Sequence, residues 1–146
     1  TLVPVQHWSR RTLTDTNASL WGGWVVEGEG LRVIHAGDTG YSQDFRDIGE
    51  RFGGFDMAFI PIGAYAPRWF MRDNHMDPDD AVQAHQQLAS QCGTAIPFGT
   101  FNLSDEEQFA PPQELARALA ERQVPANEFR PPKPGEQWQV PVLARA

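Results

Sequence analysis

The fold is decided by residues 55–62, which read FDMAFIPI. This nearly continuous apolar run has the length of one strand and is typical of a strand buried on both faces. Before this run, apolar residues at helical spacing predict a helix. After it, Asp77-Pro78 predicts the start of a second helix, with Asp77 as N-cap. Working outward, the patterns predict strands at 2–5, 19–27, 31–36, 55–62, 94–97 and 137–143, helices at 41–52, 77–90 and 113–122, and a linker-like loop at 129–136. This alternation predicts a layered α/β or α+β sandwich that begins with a hairpin.

Composition excludes several classes of protein. The chain has 146 residues, with 12 Lys and Arg against 19 Asp and Glu, and a net charge of −7. Its length suits one domain, and its acidity argues against a nucleic-acid binder, which needs a basic face. The single cysteine, Cys92, excludes an intrachain disulfide and a Cys-only zinc site. No apolar run approaches the roughly 20 residues of a membrane span, so we expect a soluble protein that is cytoplasmic or peripherally bound to a membrane.

Three polar residues follow predicted strands or precede a predicted helix, where open sheets carry their chemistry. Asp38, in the segment GDTG, could bridge two cations or simply cap the next helix. His7 could bind zinc or be an ordinary half-buried histidine beside Trp8. His75 could serve in acid–base catalysis or be a loop histidine without a role. The residues alone leave each pair of alternatives open.

Other candidates have simpler interpretations. The aromatic loop at 63–74 contains Arg68, Trp69 and Phe70, which could form a wall for an apolar ligand or pin the loop to the core. His35 is predicted to face a sheet surface. His85 is predicted to pack within a helix.

Several segments resemble one family closely. They are residues 4–9 (PVQHWS), 35–41 (HAGDTGY), 52–56 (FGGFD), 60–70 (IPIGAYAPRWF), 75–81 (HMDPDDA) and 99–101 (GTF). Together they resemble the N-acylphosphatidylethanolamine-hydrolysing phospholipase D family and its bacterial RomA-like relatives, over about residues 3–119. That family has the metallo-beta-lactamase fold, in which two βα halves form an αβ/βα sandwich with two zinc ions at the sheet ends. Its first half supplies an HxHxDH motif that this sequence lacks, so we expect residues 1–146 to be the C-terminal half, with Thr1 at the cut end. The partner of this chain would then be the N-terminal half.

The resemblance also implies roles for individual residues. His7 and Asp38 correspond to zinc ligands, with Asp38 bridging the two ions and contributing to catalysis. His75 corresponds to a histidine that assists as acid or base or contacts the phosphate. The implied function is a zinc-dependent phosphodiesterase acting on a phospholipid-like substrate.

The resemblance places the substrate wall on the aromatic loop. Its members would be Tyr65, Arg68, Trp69 and Phe70.

One position departs from the family pattern and predicts weak metal binding. Pro97 stands where the family has a histidine before the aromatic-Gly-Thr-Phe run, and proline cannot ligate a metal. His7 and Asp38 alone cannot complete a tetrahedral zinc site, so the isolated chain should bind one zinc weakly or none. Isothermal titration should show no tight, stoichiometric uptake of zinc; such uptake would contradict the prediction.

Two other functions compete with the hydrolase. Pro97 favours a degenerate, non-catalytic hydrolase fold kept for binding or regulation. A small, self-contained α/β binding domain is the third interpretation, which an upstream HxHxDH motif would exclude. If half of a sandwich is missing, an apolar face is exposed, and homo-oligomers through that face are expected.

Overall fold

The computed structural model describes residues 1–142, which form one six-stranded sheet. Along the sheet the strands follow chain order from β1 to β6. The first three strands pair antiparallel, and β3 to β6 pair parallel. The fold is therefore mixed α/β, with the predicted hairpin formed by β2 and β3. The strands are β1 (Leu2–Val3), β2 (Gly23–Gly28), β3 (Leu31–His35), β4 (Phe55–Pro61), β5 (Ser90–Ile96) and β6 (Phe129–Arg130).

Four helices connect the parallel strands. They are α1 (Asp44–Phe52), α2 (Arg68–Met71), α3 (Pro78–Gln87) and α4 (Ala110–Glu121). Both predicted helix signals are confirmed: α1 ends at Gly53, whose φ of 67° is left-handed, and the Asp77 carboxylate caps α3 by accepting from the Asp80 N–H. Within the described residues, no helix is long and apolar enough to cross a membrane.

The prediction fails mainly near the end of the chain. The strand predicted at 137–143 is wrong over 137–142, which have no regular structure, and Leu143 lies outside the described residues. The segment at 129–136, predicted as a loop, instead begins with β6, because the fully buried Phe129 packs against β5. Trp138 lies 3.8 Å from the Arg130 guanidinium, measured to the ring centroid, so it stacks on β6 instead of extending the sheet. The short helix α2 also interrupts the loop predicted at 63–74.

One face of the sheet is covered by helices. Alternate strand residues, including Val25, Ile34, Ala58 and Ile60, are almost completely buried in a single cluster with residues of α1, α3 and α4. Within this layer α1 and α3 approach very closely: a Cβ added at Gly49 would lie 2.1 Å from the carbonyl oxygen of Gln87. The layer is therefore packed tightly enough to require glycine at one position.

His85 belongs to the same helical layer. Its side chain is 2% exposed and stacks on Phe129 at 5.2 Å between ring centroids, in agreement with its predicted packing role. Burial lowers the pKa of His85 to about 4, so the imidazole is neutral at neutral pH.

The opposite face of the sheet carries the remaining strand residues, and we call Trp24, Val26, Val33, His35 and Phe59 the open face. Strand pairing places these residues side by side, and the rings of His35 and Phe59 stack at 5.7 Å. Trp24 is 57% and Val26 63% exposed. Within residues 1–142 no helix packs over this surface, so Trp24 and Val26 are left in solvent, while Val33 and Phe59 are half-buried.

The open face sharpens the prediction of homo-oligomers. We expect sedimentation velocity on the isolated chain to show dimers or larger species at high concentration. Trp24→Glu should shift the distribution towards monomer, because it places a charge in the centre of the contact. Trp69→Glu is the matched control, since Trp69 is 82% exposed but belongs to α2 and not to the sheet. A strictly monomeric parent chain would contradict the prediction.

Candidate functional site

A cleft of about 130 Å³ lies at the carboxyl ends of the parallel strands. Asp38 follows β3, Gly63 follows β4 and Pro97 follows β5, and all three line the cleft. His75, just before α3, lines it as well. Because parallel strands place their carboxyl ends at one edge, residues distant in sequence meet there, as expected for open α/β sheets.

Backbone hydrogen bonds hold the three candidate residues together. The Gly40 N–H donates to the Gln6 carbonyl at 2.8 Å, and the Met76 N–H donates to the Thr39 carbonyl at 3.0 Å. The first bond joins Gly40, two positions after Asp38, to the residue before His7. The second bond joins Thr39, the residue after Asp38, to the residue after His75. The sequence thereby brings residues 6–7, 37–40 and 73–76 into one layer.

Gln6 is a positioning residue that sequence reasoning missed. Its N–H donates to the Thr39 hydroxyl at 2.9 Å, and its side-chain amide donates to the Asp73 carbonyl at 2.8 Å. Gln6 therefore ties the segment of His7 to both neighbouring segments. Only the three-dimensional proximity of these segments shows this role, because nothing in the local sequence around Gln6 indicates a partner.

His7 has the arrangement of a metal-binding imidazole. Its Nδ1 lies 2.9 Å from the Trp8 carbonyl oxygen, and its ring meets that of His75 edge-on at 5.3 Å. Among the described residues, the buried Nε2 of His7 has no hydrogen-bond partner. A carbonyl can only accept, so Nδ1 carries a proton, and in the neutral imidazole Nε2 then presents a lone pair. Metal-ligating histidines typically donate their other ring N–H in this way.

Asp38 is exposed and does not cap a helix. Gln43 takes the N-cap position of α1, so the alternative that Asp38 caps this helix is wrong. The glycine at position 40 is required by the approach of a neighbouring segment, because a Cβ there would lie 2.6 Å from the Asp73 carbonyl oxygen. The carboxylate of Asp38 is left at the cleft, where it can accept from or coordinate a ligand.

His75 is held neutral by its surroundings. Burial and the neighbouring His7 lower the pKa of His75, while the charges of Asp38 and Glu106 act in the opposite direction. The Arg68 guanidinium donates to the His75 carbonyl at 2.8 Å and so fixes the backbone. A neutral imidazole in a cleft can accept a proton or donate a hydrogen bond.

The four residues predicted as a substrate wall make other contacts in the structure. The buried Tyr65 donates its hydroxyl to Glu114 at 2.7 Å, and Arg68 forms ion pairs with Asp77 at 3.1 Å and Asp80 at 2.6 Å. Both therefore have structural partners. The described lining of the cleft includes none of the four.

Trp69 and Phe70 are exposed and touch each other edge-on at 5.7 Å. The apolar wall that the cleft does have comes from the segment after β5, through Phe98, Phe101 and Leu103.

The family profile described as "Beta-lactamase superfamily domain" matches residues 1–98, about two thirds of the chain. The chain belongs to the beta-lactamase superfamily. The match includes His7, Asp38 and His75 and ends one residue after Pro97. The metallo-beta-lactamase fold expected from the sequence is thereby confirmed.

Two curated relatives and one solved structure add detail. "N-acyl-phosphatidylethanolamine-hydrolyzing phospholipase D 1" of Caenorhabditis elegans is 39% identical over 94% of this chain and 40% of its own length. The mitochondrial N-acyl-phosphatidylethanolamine-hydrolyzing phospholipase D of Saccharomyces cerevisiae is 40% identical over 82% of this chain and 26% of its own length. A metallo hydrolase from Ignicoccus hospitalis shares the fold, with a TM-score of 0.61, 24% identity, and coverage of 92% of this chain and 49% of that one. The chain thus spans 40% or less of these curated relatives.

The donors present fit part of a superfamily metal centre. The orphaned lone pair of His7 and the exposed carboxylate of Asp38 are both suitable ligands for a divalent metal. Within residues 1–142, however, no group of three or more His, Cys, Asp or Glu side chains is placed to hold a metal ion. Pro97 lines the cleft and brings no donor. A complete centre therefore needs ligands beyond those described.

Proposed function

We propose that this chain is the C-terminal part of a zinc-dependent hydrolase of phosphodiesters, of the N-acylphosphatidylethanolamine phospholipase D type. The observation that carries the proposal is the buried, unpartnered Nε2 of His7 beside His75, next to the cleft that Asp38 enters. A buried polar atom without a partner is costly, and a metal ion would satisfy it. The names of the two curated relatives support the choice of reaction.

His7 and Asp38 would hold the metal, and His75 would act on the proton. A divalent zinc ion bound there would supply Lewis acidity and activate water at neutral pH. His75 is neutral because burial lowers its pKa, so it can take a proton from the attacking water or hydrogen-bond a phosphoryl oxygen. Trp8 fixes the His7 ring through its carbonyl, which keeps Nε2 directed away from the backbone.

The lining of the cleft suits an amphiphilic substrate. Phe98, Phe101 and Leu103 provide apolar surface on one side, and the polar residues Asp38 and His75 line the same cleft. A phospholipid-like phosphodiester has this division between an apolar chain and a charged head. The net charge of −7 argues against nucleic acid as the substrate.

The missing ligands would come from an N-terminal half that covers the open face. In the sandwich expected for the superfamily, the second βα layer packs on the sheet face that carries no helices. Trp24 and Val26, both more than half exposed, would then be buried. The curated relatives are long enough to contain such a half, since this chain spans at most 40% of either.

A non-catalytic role is the second candidate, and Pro97 favours it. Proline lines the cleft at the position where the resemblance places a histidine, so one metal ligand of the family would be absent. A protein of this kind would retain the fold and the cleft and would bind a ligand without converting it.

The full-length translation product that contains these 146 residues tests both functions. We expect purified protein to contain zinc and to hydrolyse bis(p-nitrophenyl) phosphate and N-acylphosphatidylethanolamine in mixed micelles, with loss of both activities after chelation and recovery with zinc. Metal-free protein without turnover would overturn the hydrolase and support the non-catalytic function. In that case the substitution Pro97→His should raise the affinity of the protein for zinc, because histidine adds a nitrogen donor to the cleft.

A further inference from the structure

Two loops form facing walls of the cleft, and one carboxylate joins them. The first wall is the turn after β4, at Gly63 and Ala64; the second is the segment 98–108 after β5. Glu106 reaches from the second wall to the first: one of its oxygens accepts from the Ala64 N–H at 2.7 Å, and the other accepts from the Ala66 N–H at 3.0 Å. Forty or more residues of sequence separate these partners.

The described residues also show a second, weaker contact between the two walls. The Asp105 N–H donates to the Ala66 carbonyl at 3.2 Å, which is a neutral and longer bond. The Gln108 side chain donates to the Gly99 carbonyl at 2.7 Å, so it closes the second wall on itself without reaching the first. Hydrogen bonds to a charged acceptor are roughly twice as strong as neutral ones, so Glu106 dominates the link.

We propose that Glu106 is a positioning residue, a latch that holds segment 98–108 against the turn after β4 and so sets the width of the cleft. Each of its oxygens accepts from a backbone N–H group of the first wall, so two bonds hold the carboxylate in place. Glu106 therefore differs from Asp38, whose carboxylate is exposed. The inference rests on the proposed function only in taking this cleft as the substrate site.

The environment of Glu106 keeps the latch charged. Burial alone would raise the pKa of Glu106, but hydrogen bonds from the Ser104 side chain and from the N–H groups of Ala66 and Ala64 lower it below its ordinary value. The carboxylate is therefore ionised at neutral pH and accepts both N–H bonds.

Amide hydrogen exchange on the protein tests the latch directly. In Glu106→Ala, the amides of Ala64 and Ala66 should exchange at least about tenfold faster, because both charged acceptors are lost. Glu106→Gln should give an intermediate increase, since its single amide oxygen can still accept. The amides of Ala58 and Ile60 in β4 report on global unfolding and should not change. Asp105→Asn is the matched control: it removes the neighbouring charge from an exposed side chain and keeps the backbone N–H that reaches Ala66.

Two results would overturn the latch. One is unchanged protection of Ala64 and Ala66 in Glu106→Ala; the other is an equal rise across β4, which would show only global destabilisation. In the full-length enzyme we also expect Glu106→Ala to raise KM for the phosphodiester about tenfold with a smaller change in kcat, because other elements hold Asp38 and His75. If exchange responds as expected but the parent enzyme has no turnover, the latch stands and the proposed function fails.

Discussion

Replacing Asp38 with asparagine should reduce zinc-dependent hydrolysis by the full-length protein by at least about 100-fold. Changes to residues that merely orient a metal ligand cost 10- to 100-fold in affinity or activity, so removal of a charged ligand should cost at least as much. Asparagine keeps the size of the side chain but removes the negative charge and one anionic oxygen. Asp38 is exposed at the cleft, so the substitution should leave folding intact.

Asp73→Asn is the matched control for this substitution. Asp73 is exposed and close to His75 in sequence, and its carbonyl oxygen, which the change preserves, accepts from Gln6. Its side chain is not part of the described cleft lining. Zinc content, kcat/KM and melting temperature should all match the parent protein in this control. If Asp38→Asn itself retains the zinc content and rate of the parent, Asp38 is not a ligand.

Replacing Gly49 with alanine should destabilise the fold by about 3 kcal/mol or more, because a small-to-large change in a packed interior costs 1–3 kcal/mol and more where backbone must move. Helix propensity alone predicts the opposite sign, since alanine is favoured over glycine by up to about 1 kcal/mol in a helix interior. Sterics decide the outcome: the new Cβ would lie 2.1 Å from the Gln87 carbonyl oxygen and 3.1 Å from the Leu88 Cα. These are backbone atoms, so α1 and α3 would have to separate.

Urea denaturation followed by circular dichroism measures this effect. Gly28→Ala is the matched control, because a Cβ at Gly28 would meet nothing within 4 Å. This control should change the free energy of unfolding by less than about 0.5 kcal/mol, as surface substitutions usually do. Equal stability of Gly49→Ala and the parent would show that the two helices can move apart at little cost.

The elements with strong local signals were predictable from the sequence. The apolar run at 55–62 became β4 (Phe55–Pro61), and the capping residue Asp77 fixed the start of α3. Strand β6 was not predictable, because two residues in a segment rich in Pro and Gly carry no periodicity. Its position depends on a distant contact: Gly93 leaves room for the Phe129 ring, which would lie 2.7 Å from a Cβ there.

The candidate site, like the fold, was only partly predictable from the sequence. His7, Asp38 and His75 could be selected from the sequence, because polar residues at strand ends and a family resemblance both point to them; their roles as ligands and acid–base group stay predictions. The partners of Tyr65 and Arg68 could not be predicted, since Glu114 lies 49 residues away along the chain and the ion pairs of Arg68 require α3 to be in place. The role of Glu106 could not be predicted for the same reason, since its partners Ala64 and Ala66 lie 42 and 40 residues away along the chain.

The agreement between strand order and chain order has a consequence for how the protein is made. Each strand from β2 to β6 pairs with the strand synthesised just before it, so no later segment must be inserted between two earlier ones. Such a sheet can grow by one strand at a time as the chain leaves the ribosome, with one connection to close at each step. In the proposed hydrolase, Asp38, His75 and the loop of Glu106 would therefore reach their places in that order during translation.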